Sequence, residues 1–295
     1  MTPAFALPLV VAATAAALAG LLRSRLHPAV AARCLALAAV AVASGWIWVL
    51  MALSLGALGE FHPVHRWFAW CPELHLGAPA SAAVGTGAAV MLAWSGQRFT
   101  RMWRRQRRQH RRRPDCGPDG VLILPAAEPT AFAVPGRRGG VVVSAGMIEA
   151  LTPREQEVLW AHERAHLHHH HHWYLHMADA ATAAAPGIGR LCSHVRIATE
   201  RWADEDAATA VGGDRHLVAR AIAHAALAGA DHRNVELALA DEGVTGRVAA
   251  LVGHNHRGFD PAIGIAVATL VGAVTVGGST LQLHHLITLV GRICS

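Results

Sequence analysis

Four stretches of this 295-residue chain carry no charged side chain over 20–25 positions: Pro3 to Leu22, Cys34 to Leu58, Gly77 to Gln97 and Pro261 to Leu283. The hydrocarbon core of a bilayer is about 30 Å thick, and a helix needs roughly 20 apolar residues to cross it with every backbone group bonded internally. An α-helical membrane protein with about four transmembrane helices is therefore expected. Composition agrees, because 53% hydrophobic and 16% charged residues make a chain too apolar for an ordinary soluble domain of this length. A cleaved signal peptide suits the first stretch poorly, since Arg23 and Arg25 follow the apolar run instead of preceding it.

Orientation follows from arginine, the only basic residue type present besides histidine and a mark of compositional bias more than of chemistry. The loop from Gly59 to Leu76 holds Glu60, Glu73 and one arginine, Arg66, among Phe61, Trp67, Phe68 and Trp70, and suits an extracytoplasmic segment resting on the interface. Nine arginines fall between Arg98 and Arg113, which places that end inside. Beside a membrane span such a run fits anionic lipid headgroups better than phosphates of nucleic acid, so the lipid bilayer is the expected partner and no specific nucleic acid is. The expected organisation is three transmembrane helices in residues 1–97 (about 3–22, 34–58 and 77–97), a basic juxtamembrane linker over 98–119, a cytoplasmic domain over 120–260 and a C-terminal transmembrane helix over 261–291. A multi-pass cell-membrane protein is therefore expected, with self-association left open.

The chemistry lies in the insert. The five cysteines show no CxxC pairing, so neither a disulfide framework nor a cysteine zinc site is indicated. Val121 to Leu124, Ala131 to Val134 and Val141 to Ser144 are short apolar runs bounded by Pro and Gly and read as a small sheet. Thr152-Pro153-Arg154-Glu155 is a capping box with proline at the first helical position, predicting a helix that starts there and runs through His162 into the histidine tract.

On that helix His162 and His166 are four residues apart and share a face, a spacing suited to two positions of a tetrahedral zinc ion. Glu163 beside them can take a proton from the attacking water and pass it to the leaving amine. A catalytic zinc needs a third protein ligand, for which Glu200 is the choice. On a helix Glu200 and Asp204 share a face, so that one can bind metal while the other accepts the free ring N–H of a ligand histidine. With 21 histidines in the chain, HExxH alone is a moderate signal, and the Glu200/Asp204 pair is what strengthens it.

In order, Pro129 to Gly136, Val141 to Leu151, His162-Glu-Arg-Ala-His166 and Glu200-Arg-Trp-Ala-Asp204 resemble the protease core of the HtpX-type membrane proteases and the β-lactam-sensor antirepressor proteases. These are gluzincins with an HExxH helix and a downstream ExxxD glutamate. The resemblance runs from Ala126 to Val252, where Gly246 to Val252 resembles the closing helix of that core. It implies an α+β zincin-like domain inserted in a helical membrane protein, Zn2+ bound by His162, His166 and Glu200, Glu163 as base and Asp204 behind a ligand. It also makes Thr130, Ala131, Phe132, Ala133 and Val134 the substrate-binding edge, where a peptide can add as an extra strand through backbone hydrogen bonds. Thr130 stands where the family usually has asparagine. No β-lactam-sensor domain follows the last span before Ser295, so direct β-lactam sensing is not expected.

The implied function is a membrane-embedded zinc endopeptidase cleaving proteins at the cytoplasmic face, for regulatory cleavage of a repressor or for quality control of membrane proteins. The rival is a non-catalytic metal-binding membrane protein built on the tract His168 to His172 with His176. There helical geometry offers further pairs, His168 with His172 and His172 with His176. His224 is a candidate for stabilising an oxyanion, against a buried histidine on an apolar helix.

Overall fold

The structure, a computed structural model, describes residues 17, 26–58, 82–111, 113–137, 139–229 and 242–253. The expected spans at 3–22 and 261–291 lie outside the described residues, apart from position 17. Helix α1 (Pro28–Leu58) and helix α2 (Ala82–Arg111) precede three strands, β1 (Val121–Leu124), β2 (Ala131–Val134) and β3 (Gly140–Ser144). The rest is helical: α3 (Ala145–Ala150), α4 (Pro153–His168), α5 (His171–Ala184), α6 (Gly189–Ala210), α7 (Arg215–Gly229) and α8 (Glu242–Val252).

All three expected strands form, in the order β1-β3-β2, with β1 parallel and β2 antiparallel to β3. Central β3 is buried throughout, which is why it reads as an unbroken Val141-Val142-Val143 run and not as an alternation. At its start Gly140 passes Gly120 so closely that a Cβ there would sit 2.1 Å from the Gly120 carbonyl oxygen, and only glycine fits. Among the described residues β2 pairs on one side only, leaving its other edge toward α4.

The start of α4 is set as its sequence predicts. The Glu155 carboxylate accepts the Thr152 N–H at 3.0 Å and the Thr152 hydroxyl at 2.8 Å. Its other oxygen lies 2.9 Å from Nδ1 of His224 on α7. His224 thus serves the helix cap; it is half-exposed, and is neither the buried core histidine nor a group at the Glu163 cavity.

One expectation changes. The helix of α4 does not run on through the histidine tract: it ends at His168, and His170 turns the chain in the left-handed region with φ 54° before α5 begins. That conformation costs a residue with a Cβ roughly 1–2 kcal/mol. Packing on Trp202 holds it, with the His169 ring stacked at 4.3 Å and the His171 ring at 4.8 Å. His168 and His172 are therefore not an i, i+4 pair of one helix, whereas His172 and His176 are, with ring centroids 6.0 Å apart. The apolar run ending at Gln97 and the arginines from Arg98 to Arg111 lie on one continuous helix, α2, with no break in the backbone between them.

Among the described residues one helical segment, Pro28–Met51, is long and apolar enough to cross a membrane, against the four expected in the whole chain. It does not stand apart from the insert. Ala32, Leu35, Ala36, Ala39 and Ala43, at spacings of three and four, pack on Ala178 and Ala181 of α5 and on Val195, Ala198 and Trp202 of α6. Such small residues allow close helix approach. A second core joins Val158 of α4, Ala207 of α6, Val218 of α7 and Leu251 of α8.

Candidate metal centre

Helix α4 packs against α6, and the contact brings His162 and His166 of the first to Glu200 of the second. The Nε2 atoms of His162 and His166 are 3.1 Å apart. Glu200 Oε2 lies 3.4 Å from His162 Nε2, and Glu200 Oε1 lies 3.5 Å from His166 Nε2. A tetrahedral zinc ion with bonds of about 2.0–2.1 Å holds its donors about 3.3 Å apart. The triangle therefore has the size that such an ion requires, and it is the one group of three His, Cys, Asp or Glu donors found within 4.8 Å of one another among the described residues.

Each ring is held from behind, by different chemistry. His162 Nδ1 is 3.0 Å from Asp204 Oδ1, so its N–H is donated to the carboxylate and Nε2 is the nitrogen left facing Glu200 and His166. His166 Nδ1 is 2.9 Å from Nδ1 of His171, which is wholly buried. If His166 Nδ1–H is the donor, His171 carries its own proton on Nε2, a buried atom with no hydrogen-bond partner among the described residues.

The charges are tightly paired. Arg247 on α8 forks onto buried Asp204, with Nε to Oδ2 at 2.7 Å and Nη2 to Oδ1 at 2.6 Å, and its Nη1 is 3.1 Å from Glu200 Oε2. Burial alone would favour neutral forms throughout. For His162 the hydrogen bonds to Asp204 and Glu200 and their charges outweigh it and lift the pKa to about 10. Glu200 is held below its ordinary value against burial by His162 and then Arg247, and Asp204 likewise by Arg247 and then His162. His166 goes the other way, pushed down to about 4 by burial. Burial also pushes Glu163 up, although His162 and Arg247 and the Ala133 backbone N–H that its carboxylate accepts pull the other way.

His162, Glu163, His166 and Glu200 border a cavity of about 290 Å3, whose opposite wall includes Ala131, Phe132 and Ala133 of β2. Of the five residues expected along the substrate edge these three face the cavity. Val134 is buried under the sheet, and Thr130 is exposed, its N–H donated to the Ser144 hydroxyl. Sequence reasoning gave no role to Arg247, and none to His171 beyond its membership of the histidine tract. The signal for Arg247 was a lone arginine inside the otherwise uncharged run Gly243 to Val252; for His171 there was none, because five consecutive histidines look alike until the turn at His170 separates them.

No curated protein and no solved structure gives a significant match to the chain. Residues 97–234, which contain both HExxH and ExxxD, match the model of peptidase family M48, the family of the HtpX-type zinc metalloproteases, and bear out the resemblance read from the sequence.

Proposed function

We propose that this chain is a membrane-associated zinc endopeptidase in which His162, His166 and Glu200 hold the metal and Glu163 is the general base. The observation that carries this reading is the donor triangle, sized for a tetrahedral ion, with a buried carboxylate beside it and a strand edge across the cavity. When bound, zinc supplies Lewis acidity toward a carbonyl and brings the pKa of a bound water to about 7. Glu163, made more basic by burial, takes the proton of the attacking water and returns it to the leaving amine. Asp204 fixes the tautomer of His162, and His171 orients His166. Arg247 holds Asp204 and Glu200 in their ionised forms.

A peptide laid along β2 would place its scissile bond over Glu163, with backbone hydrogen bonds setting orientation whatever the side chains are. The arginine run and the four uncharged stretches of the sequence support a cytoplasmic domain over 120–260 on a multi-pass protein. Either regulatory cleavage of a repressor or removal of damaged membrane proteins is served by this site. The histidine-rich metal-binding alternative gains no support, because no tract member joins a three-donor group among the described residues.

The test is Glu163→Gln in detergent-purified protein. Zinc content should equal that of wild type, while cleavage of casein or of the chain itself should fall by roughly 10²–10⁴-fold. Equal activity would remove the mechanism; loss of bound zinc would mean that Glu163 is a ligand instead.

A further inference from the structure

A second cavity, of about 590 Å3, lies between α2, α5 and α6, well away from the donor triangle. Its α2 wall is one helical stripe in which Arg98, Arg101 and Arg105 follow each other at spacings of three and four, and α6 adds Arg196. The lining holds a single carboxylate, Asp179, and that charge is already engaged: Arg196 Nη2 bonds Oδ1, and Gln106 Nε2 lies 3.5 Å from Oδ2. Arg98 is also committed, donating to the Thr182 carbonyl oxygen at 3.0 Å while its guanidinium lies over the Trp94 ring. Arg101 and Arg105 have no protein partner among the described residues. Four cations thus share one concave space against one neutralised anion, an arrangement that concentrates positive potential and favours an oxyanion able to accept paired guanidinium hydrogen bonds.

The source of that oxyanion follows from the helix that presents the arginines. The first part of α2 is uncharged as far as Gln97, and the charges begin at Arg98. Around that border Trp94, Phe99 and Trp103 are 43%, 42% and 47% exposed, with Arg107 lying over Trp103 as Arg98 lies over Trp94. Exposed aromatics followed at once by arginines are what a helix carries where it leaves a bilayer, the depth of the lipid phosphates. We propose that the α2/α5/α6 groove is a binding site for the phosphate headgroup of an anionic phospholipid, gripped by Arg101 and Arg105. The inference rests on the membrane reading above and not on the metal chemistry. It gives the arginine run a built site on one face in place of a diffuse anchor. Since α6 also supplies Glu200 and Asp204, a headgroup clamped between α2 and α6 braces the helix behind the metal centre.

The two faces of α2 provide the control. Arg101 and Arg105 line the groove, whereas Arg104 and Arg108 on the same helix are exposed and outside it, so Arg101→Gln/Arg105→Gln and Arg104→Gln/Arg108→Gln remove equal charge. Full-length protein in nanodiscs of phosphatidylcholine with a small fraction of phosphatidylglycerol, ejected into a mass spectrometer, reports which lipid stays bound. Wild type and the Arg104/Arg108 variant should retain phosphatidylglycerol over phosphatidylcholine. The Arg101/Arg105 variant should hold it roughly thirtyfold more weakly, at about 1 kcal/mol for each arginine removed. Equal losses in the two variants would overturn the site in favour of diffuse attraction. Retention of inorganic phosphate in place of the lipid would identify a soluble anion and overturn the lipid assignment. A protein that enters no nanodisc of either composition would instead defeat the membrane reading itself.

Discussion

His162 and His171 are both imidazoles removed from solvent at the α4/α6 junction, yet their surroundings drive them apart. His162 stands among Asp204, Glu200 and Arg247, where every charge has a partner, and its pKa rises to about 10. His171 stands among His166, His169, Tyr174 and Trp202, with no carboxylate bonded to it, and burial pushes it down to about 3. Of the two histidines proposed as ligands, His162 is thereby backed by an anion and His166 by a neutral ring. The contrast shows that the ionisation of a histidine in this protein is set by what the neighbouring helix turns toward it, and that one member of the tract, His171, stands directly behind His166.

That contrast can be broken from its charged side with the largest effect. Arg247→Met leaves Asp204 buried with only His162 to face it, and removing one partner of a buried ion pair costs about 3–5 kcal/mol. Thermal unfolding should show a correspondingly large drop, and Arg247→Met/Asp204→Asn should recover much of it; no recovery would mean that Arg247 acts through packing alone. On the neutral side, His171→Leu should weaken zinc binding roughly 10- to 100-fold in chelator competition, the usual effect of losing a ligand's hydrogen-bond partner. His171→Asn, which keeps an acceptor near the Nδ1 position, should stay close to wild type, as should His168→Ala on the exposed surface of the tract. If His171→Leu and His171→Asn behave alike, the contact with His166 does not position the ligand.

The effect that is smallest at neutral pH concerns His172, whose pKa burial, followed by His176, lowers from 6.5 to about 4. A folded-state value below the unfolded one means the unfolded chain binds the proton first. Stability should be unaffected by this residue above pH 6.5, fall as pH drops toward about 4, and level off below that. His172→Gln should flatten that limb of the stability curve, and an unchanged limb would place its origin in other groups.

Much of the local structure was legible along the chain because it depends on near neighbours. The three strands follow from short apolar runs between turn residues, and the start of α4 follows from Thr152 and Glu155, whose hydrogen bonds form within four residues. The metal-centre candidates were legible for the same reason, since His162 with His166, and Glu200 with Asp204, are each one helical turn apart. The end of α4 was not, because nothing between His168 and His172 distinguishes one residue from the next; Trp202 selects the turn from another helix.

What the sequence alone determined, then, is the inventory: apolar helices, a small sheet, and two helical pairs with the chemistry of a metal site. Only the tertiary structure decided how these combine. It brought Arg247 to Asp204 and His171 to His166, it joined an apolar helix to α5 and α6 through an alanine seam, and it turned one face of the arginine run into a groove. The physical reason is range: capping and helical spacing act within a turn or two of backbone, whereas ion pairs and burial depend on segments that meet only when the chain folds.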